Sequence, residues 1–216
     1  MKTIVIACNT ITTSSITYLK EKFKNVHFIG TTPYIEGVLK DSSMLNSKKI
    51  LINKNNKKIS IENKKTKVLI ISTKVTKNSK YVKNMVKSLK PFLDIKTMAM
   101  GKLVKYIENL DFDSKELENY INKSFEKYLD IDYLVLGCTH FPFLTKNFKK
   151  VKFKKDIKII DGAKNIALTT KNFIEENGLS NNSKLNIKIV DTINKPERHY
   201  TFAKFLNVNV NNIEFI

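Results

Sequence analysis

Short apolar runs dense in Ile and Val alternate along the chain with longer stretches in which apolar residues fall three and four apart. The runs read as buried strands, and the stretches as helices that lay one stripe on a sheet. The strands expected are TIVIAC (3–8), VHFIG (26–30), KVLIIST (67–73), IKTMAM (95–100), YLVLGCT (133–139), IKIID (157–161) and NIKIVDT (186–192). Between them SITYLKEKF, SKYVKNMVKSLKPFL, SKELENYINKSFEKYL and AKNIALTTKNFIEEN carry the helical spacing. Asp113 or Ser114 is placed to cap the third of these helices, and Gly178 follows the fourth where a terminating glycine belongs. Strand and helix in alternation predict an α/β protein built on parallel sheets.

One stretch breaks the alternation. Residues 41–65 are rich in Lys, Asn and Ser, and KILINKNNKKISIE reads as two short runs around an Asn-Asn turn, a surface hairpin or loop inserted between two lobes. At 216 residues the chain has length for one large α/β domain or two compact lobes. Hydrophobic residues at 42% and charged residues at 27% set it among globular proteins. No apolar run reaches the roughly 18 residues that span a bilayer, and the start lacks a secretory pattern, so a cytoplasmic location and no membrane partner are expected.

The formal charge of +19 points first toward nucleic acid. However, Arg198 is the single arginine, and the bidentate guanidinium is what specific phosphate and base recognition favours. Lysines scattered among asparagines read better as solvated faces, and no specific nucleic-acid partner is expected. Two cysteines so far apart, Cys8 and Cys138, read individually as buried thiols rather than a disulfide. Cys138 with His140 gives only two ligands at a spacing unlike zinc sites, so no metal is expected.

The two cysteines nevertheless end strands alike, in VIACNT and VLGCTH. Carboxyl ends of parallel strands are where open α/β sheets bind ligands. A thiol there meets free backbone N–H groups and a helix dipole, which together predict a lowered pKa. Asn9, Thr10 and Thr139 are short neutral groups suited to a carboxylate and an amine, and no Gly-rich loop exists to hold phosphate. Two thiols on facing lobes can remove a proton from one face of a carbon and return one to the other.

VIACNT and LVLGCTHFPFL resemble the two signature motifs of the glutamate racemases, within the aspartate/glutamate racemase superfamily. VLIISTKVT, GKLVKYIE, IIDGAKNIA and NKPERHYTFAKFL resemble further segments of that family. The resemblance implies two flavodoxin-like lobes with the active site between them and no cofactor. In this division residues 1–40 and 159–216 form a discontinuous first lobe and 66–158 the second. It further implies Cys8 and Cys138 as acid/base residues, with Asn9, Thr10, Thr139 and His140 contacting glutamate or tuning the second thiol. It also implies a supply of D-glutamate for peptidoglycan, and it suggests a homodimer without saying which faces meet. Aspartate racemases usually carry Glu where His140 stands, so GCTH favours glutamate, with aspartate as the alternative.

Two parts of the family pattern are missing. No Asp-Ser-Gly or Pro-Tyr-Gly motif precedes TIVIAC, so the first lobe is expected to be incomplete at its N-terminus, with one edge of that strand uncovered. Three explanations stay open: a start internal to a longer gene product, which the otherwise intact motif set favours; an inactive fragment or pseudoenzyme; or a partner that completes the lobe. A Cys-His thiol hydrolase is a further enzyme class, needing Cys138 and a base but not Cys8. Glu108, on an expected helix, reads as a solvated residue. Thr76 reads as a cap or turn hydroxyl within reach of a carboxylate, and His27 and His199 as ordinary structural histidines.

Overall fold

Val68 to Ser72 and Tyr133 to Gly137 are buried without a break, as strands covered on both faces must be. A computed structural model of the chain describes residues 2–41, 65–179, 188–190, 196–206 and 214–215. In it β3 (Thr66–Ser72) and β5 (Tyr133–Gly137) are the inner strands of a four-stranded parallel sheet. Their outer neighbours are β4 (Leu93–Ala99) and β6 (Lys158–Ile160), in the order β4-β3-β5-β6. Alternation along β3 and β5 divides their side chains between two cores. Leu69, Ile71, Leu134 and Leu136 meet α5 (Lys102–Glu108), α6 (Lys115–Phe125) and α7 (Thr145–Lys149) through Leu103, Ile107, Leu117, Phe125 and Phe148. Val68, Ile70 and Val135 meet Ile35 and Val38, the latter on α2 (Glu36–Leu39), with Met85 and Leu89 of α4 (Lys80–Leu89) beside them.

A second sheet holds β1 (Lys2–Ile6) and β2 (Val26–Gly30), parallel, with Ile4 opposite Phe28 and α1 (Asn9–Lys22) crossing between them. A Cβ on Gly30 would stand 2.5 Å from Thr12 Cγ2 and 2.7 Å from Ile16 Cδ1, so α1 packs on β2 only because residue 30 has no side chain. From the other side α8 (Ala163–Glu176) stacks Phe173 on His27, ring centroids 3.7 Å apart. The packing is thin here: Ile6 alone is buried in β1, and α8 buries no residue. The remaining described elements are a short α3 (Lys74–Asn78), α9 (Pro196–Leu206) and a parallel pair, β7 (Lys188–Ile189) with β8 (Glu214–Phe215).

The architecture is the expected α/β fold with two parallel sheets, and the element ends differ for identifiable reasons. The first helix begins at Asn9, earlier than the apolar spacing indicates, and within it Thr13 and Ser14 donate their hydroxyls to the carbonyls of Asn9 and Thr10. The helix expected through residue 93 stops at Leu89, ahead of Pro91, and Leu93 opens β4 instead. Ser114 caps α6 by accepting from Leu117 N–H, and Gly178 takes a left-handed φ of 60°. Residues 42–64, nearly all of the expected insertion, and most of the strand expected at 186–192 lie outside the described residues.

Candidate functional site

Each cysteine leaves a strand where the chain turns into a helical segment. Cys8 is the N-cap residue of α1, still extended at φ −148° and ψ 113°, and partly exposed. Cys138 follows β5, 7% exposed, and leads through Thr139 and His140 into the turn Phe141–Leu144. The thiols stand near enough that negative charge on Cys8 disfavours the thiolate of Cys138. Cysteines 130 residues apart in sequence thus lie within electrostatic reach of each other.

The predicted lowering of the second thiol's pKa needs correction. Burial pushes the Cys138 thiol up. The backbone N–H groups of His140 and Phe141 pull it down by less, and the charges of Cys8 and Glu108 add to the rise. Desolvation outweighs the hydrogen bonds because the thiol lies deeper than a simple strand-end position implies. His140 stands behind it, Nδ1 3.9 Å from Cys138 Sγ and Nε2 3.4 Å from Glu108 Oε1. The result is a line of three titratable groups, Cys138, His140 and Glu108.

A small pocket of about 50 Å³ lies against Cys138, lined also by Asn9, Thr31, Thr139 and Asp161. Asn9 is 4% exposed and its Oδ1 has no hydrogen-bond partner among the described residues. A buried acceptor without a donor costs about 1–3 kcal/mol unless something fills the place. Thr10 turns elsewhere: its hydroxyl shares hydrogen bonds with Thr73 Oγ1 at 2.8 Å and Thr76 Oγ1 at 3.0 Å, and those two share one at 3.1 Å. Thr73 caps α3, so this triangle of hydroxyls ties the start of α1 to the neighbouring sheet.

Of the residues singled out in the sequence, Asn9, Cys138 and Thr139 share the pocket, with Cys8 within electrostatic reach. Thr10 and His140 stand beside it, each held by other side chains. Sequence reasoning set Glu108 aside as solvated and overlooked Thr73. The i to i+3 pair of threonines in STKVT was the available signal for the latter, and only the fold brings Glu108 to His140. His27 takes the structural role expected of it, in its stack on Phe173.

No family model matches the chain. A glutamate racemase of Fusobacterium nucleatum is 32% identical over 214 residues, which cover 97% of this chain and 71% of that protein. The chain belongs to the glutamate racemase family. Glutamate racemases of Clostridium botulinum and Lachnospira eligens are 32% and 30% identical over 84% and 82% of the chain. The chain spans 62% and 59% of their lengths. Among solved structures, a glutamate racemase isoform from Bacillus anthracis matches with a TM-score of 0.76 at 23% identity, covering 100% of this chain and 73% of that one. The Francisella tularensis glutamate racemase in complex with D-glutamate matches with a TM-score of 0.73 at 22% identity, over 100% and 74%. These likenesses give the fold of the glutamate racemases, two α/β lobes. Among the described residues no helix is long and apolar enough to cross a membrane, and no three His, Cys, Asp or Glu side chains gather as a metal site.

Proposed function

We propose that the chain works as a cofactor-independent glutamate racemase in which Cys8 and Cys138 are the two acid/base groups. The observation that supports this reading is that two strand-end thiols from different sheets lie within electrostatic reach, with Cys138 and the buried acceptor of Asn9 lining one pocket. In this reading residues 1–40 with 159–216 form one lobe and 66–158 the other, each supplying one thiol.

The chemistry follows from these groups. An α-carbon bearing a carboxylate and an ammonium sits between the sulfurs, with the ammonium donating to Asn9 Oδ1. One sulfur, as thiolate, takes the α-proton from one face, and the other, as thiol, gives a proton to the opposite face. The configuration inverts and the protonation states of the two sulfurs exchange. The negative charge that develops on the carboxylate is met by Thr139 and by backbone N–H groups at the start of α1, inside a site that keeps water down. Burial keeps Cys138 protonated at rest, which suits it to deliver a proton. His140, held by Glu108, is placed to take the proton when Cys138 must act as the base. The product, D-glutamate, would serve peptidoglycan synthesis in the cytoplasm.

L-Glutamate in deuterated water is the direct test, with α-proton exchange followed by NMR and the product resolved on a chiral phase. Deuterated D-glutamate is the expected product. Exchange with aspartate but not glutamate would move the assignment to the alternative substrate, and no exchange with either would sink the reading. An inactive member of the family is the second reading, favoured by the thin packing of β1, in which Ile6 alone is buried among the described residues. It expects no turnover while both thiols are intact.

A further inference from the structure

Four element ends converge on the small pocket beside Cys138. Asn9 opens α1, Thr31 follows β2, Thr139 lies just past β5, and Asp161 follows β6. Thr31 is 5% exposed; its N–H donates to the Ile6 carbonyl at 3.2 Å, and a Cβ on Gly162 would stand 3.1 Å from its Oγ1. The hydroxyl therefore lies directly against the turn from β6 into α8. At that turn Asp161 Oδ1 accepts from Ala163 N–H at 2.8 Å, which sets the carboxylate at the start of α8, where the helix dipole favours an anion. The backbone thereby uses one carboxylate oxygen, and among the described residues nothing bonds the other.

The lining sorts charge. In a chain of net charge +19, Asp161 is the one charged side chain among the described residues that line this pocket. Asn9 Oδ1, buried and without a donor among those residues, adds a second acceptor, and the Thr31 hydroxyl offers a third. A group that satisfies a carboxylate, an amide oxygen and a hydroxyl together needs several N–H donors and a positive charge, which describes a primary ammonium. The pocket's volume of about 50 Å³ exceeds the roughly 10–15 Å³ that one water needs, and an ammonium group is of water's size. We propose that Asp161, with Asn9 Oδ1 and Thr31, seats the substrate's α-ammonium, and that Asp161 makes the site select an amino acid over the same carbon chain without nitrogen. The proposal rests on the reading of this site as a glutamate site, and it adds the counter-charge that Asn9, a neutral dipole, does not supply. Repulsion from Asp161 turns both carboxylates of glutamate away from this wall, so the nitrogen fixes the orientation of the α-carbon beside Cys138.

Calorimetric titration of the 216-residue chain with L-glutamate and with glutarate, which is glutamate without its nitrogen, tests this. Glutamate is expected to bind at least about tenfold more tightly, because a site built around N–H donors rejects the analogue that lacks them. Asp161→Asn keeps Oδ1 for Ala163 N–H and removes the charge, so it should bring the two affinities to within about threefold while the affinity for glutarate holds or rises. Thr31→Val should reduce the preference for glutamate by a smaller factor. Glutarate binding as tightly as glutamate to the unaltered chain overturns the proposal without any variant, and so does binding of neither. An Asp161→Asn protein that weakens both ligands equally shows a structural carboxylate and overturns it as well. A preference that depends on Asp161 in a chain that does not racemise glutamate would keep the inference and count against the proposed activity. Racemisation with a preference that Asp161→Asn leaves unchanged would do the reverse.

Discussion

Cys138 is held between opposing influences, and that balance can be measured. Burial and the nearby charges of Cys8 and Glu108 favour its thiol, while two backbone N–H groups favour the thiolate. In the intact chain its alkylation by iodoacetamide, read by mass spectrometry, should therefore have a midpoint above the usual value of about 8.5 for a free thiol. In Cys8→Ser the neighbouring negative charge is gone, so the midpoint should move to lower pH. An unmoved midpoint would mean that the two sulfurs do not sense each other, and the two-thiol site would fail with it. If the proposed two-thiol racemase reading holds, Cys8→Ser and Cys138→Ser should each lower racemisation at least about 10²-fold, the low end of what a positioned acid or base contributes. A hydrolase using Cys138 alone would tolerate the first change, so steady-state rates of the two variants separate the classes.

The elements show where packing is tight and where charge holds the chain. Gly30→Ala would place a methyl within 2.5 Å of Thr12 Cγ2 and force α1 away from β2. A loss of about 1–3 kcal/mol is expected, seen as a lower denaturant midpoint, with the start of α1 and therefore Cys8 displaced. At the opposite end of the large sheet, Lys67 and Lys155 both bond Asp130, and Lys155 also reaches Asp132 at 2.7 Å. These lysines hold the Asp130 carboxyl down to about 2, the Lys67 hydrogen bond acting most strongly. A carboxylate with a lowered folded pKa stabilises the fold above its unfolded value of about 3.9, and that contribution is lost as pH falls toward 2. Asp130→Asn should therefore lower the melting temperature at neutral pH and flatten its fall between pH 4 and pH 2; parallel melting curves for the two proteins would exclude this role.

Elements of this kind were legible in the sequence wherever burial alone decides them. VHFIG matches β2 residue for residue, and both buried runs of the large sheet were found. Apolar spacing could not see that Pro91 ends α4, or that α1 would begin at Asn9 in a polar stretch of threonines and serines. The thiols and their Asn and Thr neighbours were visible because a motif repeats. Glu108 was not, because its importance lies in reaching His140 across the fold, a relation with no trace in local pattern.

Across the whole molecule the two sheets are unequal. The larger is enclosed on both faces, whereas β1 has one buried residue and α8 none. Hydrogen exchange should therefore divide the chain, with amides of β3 and β5 protected at least about 10²-fold more than those of β1, since stability within a structure follows burial. Equal protection in the isolated chain would show that β1 is covered by something other than the described residues.

The stack of His27 on Phe173 has a consequence for synthesis. β2 leaves the ribosome ahead of the larger sheet, and the helix bearing Phe173 follows only after the whole of that sheet has emerged. Until then the strand sequence Val26 to Gly30 waits without the ring that covers His27, through the period when exposed apolar strands are most open to capture by chaperones or by one another. The larger sheet, complete in itself, is made in the meantime. Its strand β6 leads directly to α8, so the order of translation makes the second half of the molecule the template on which the first is closed.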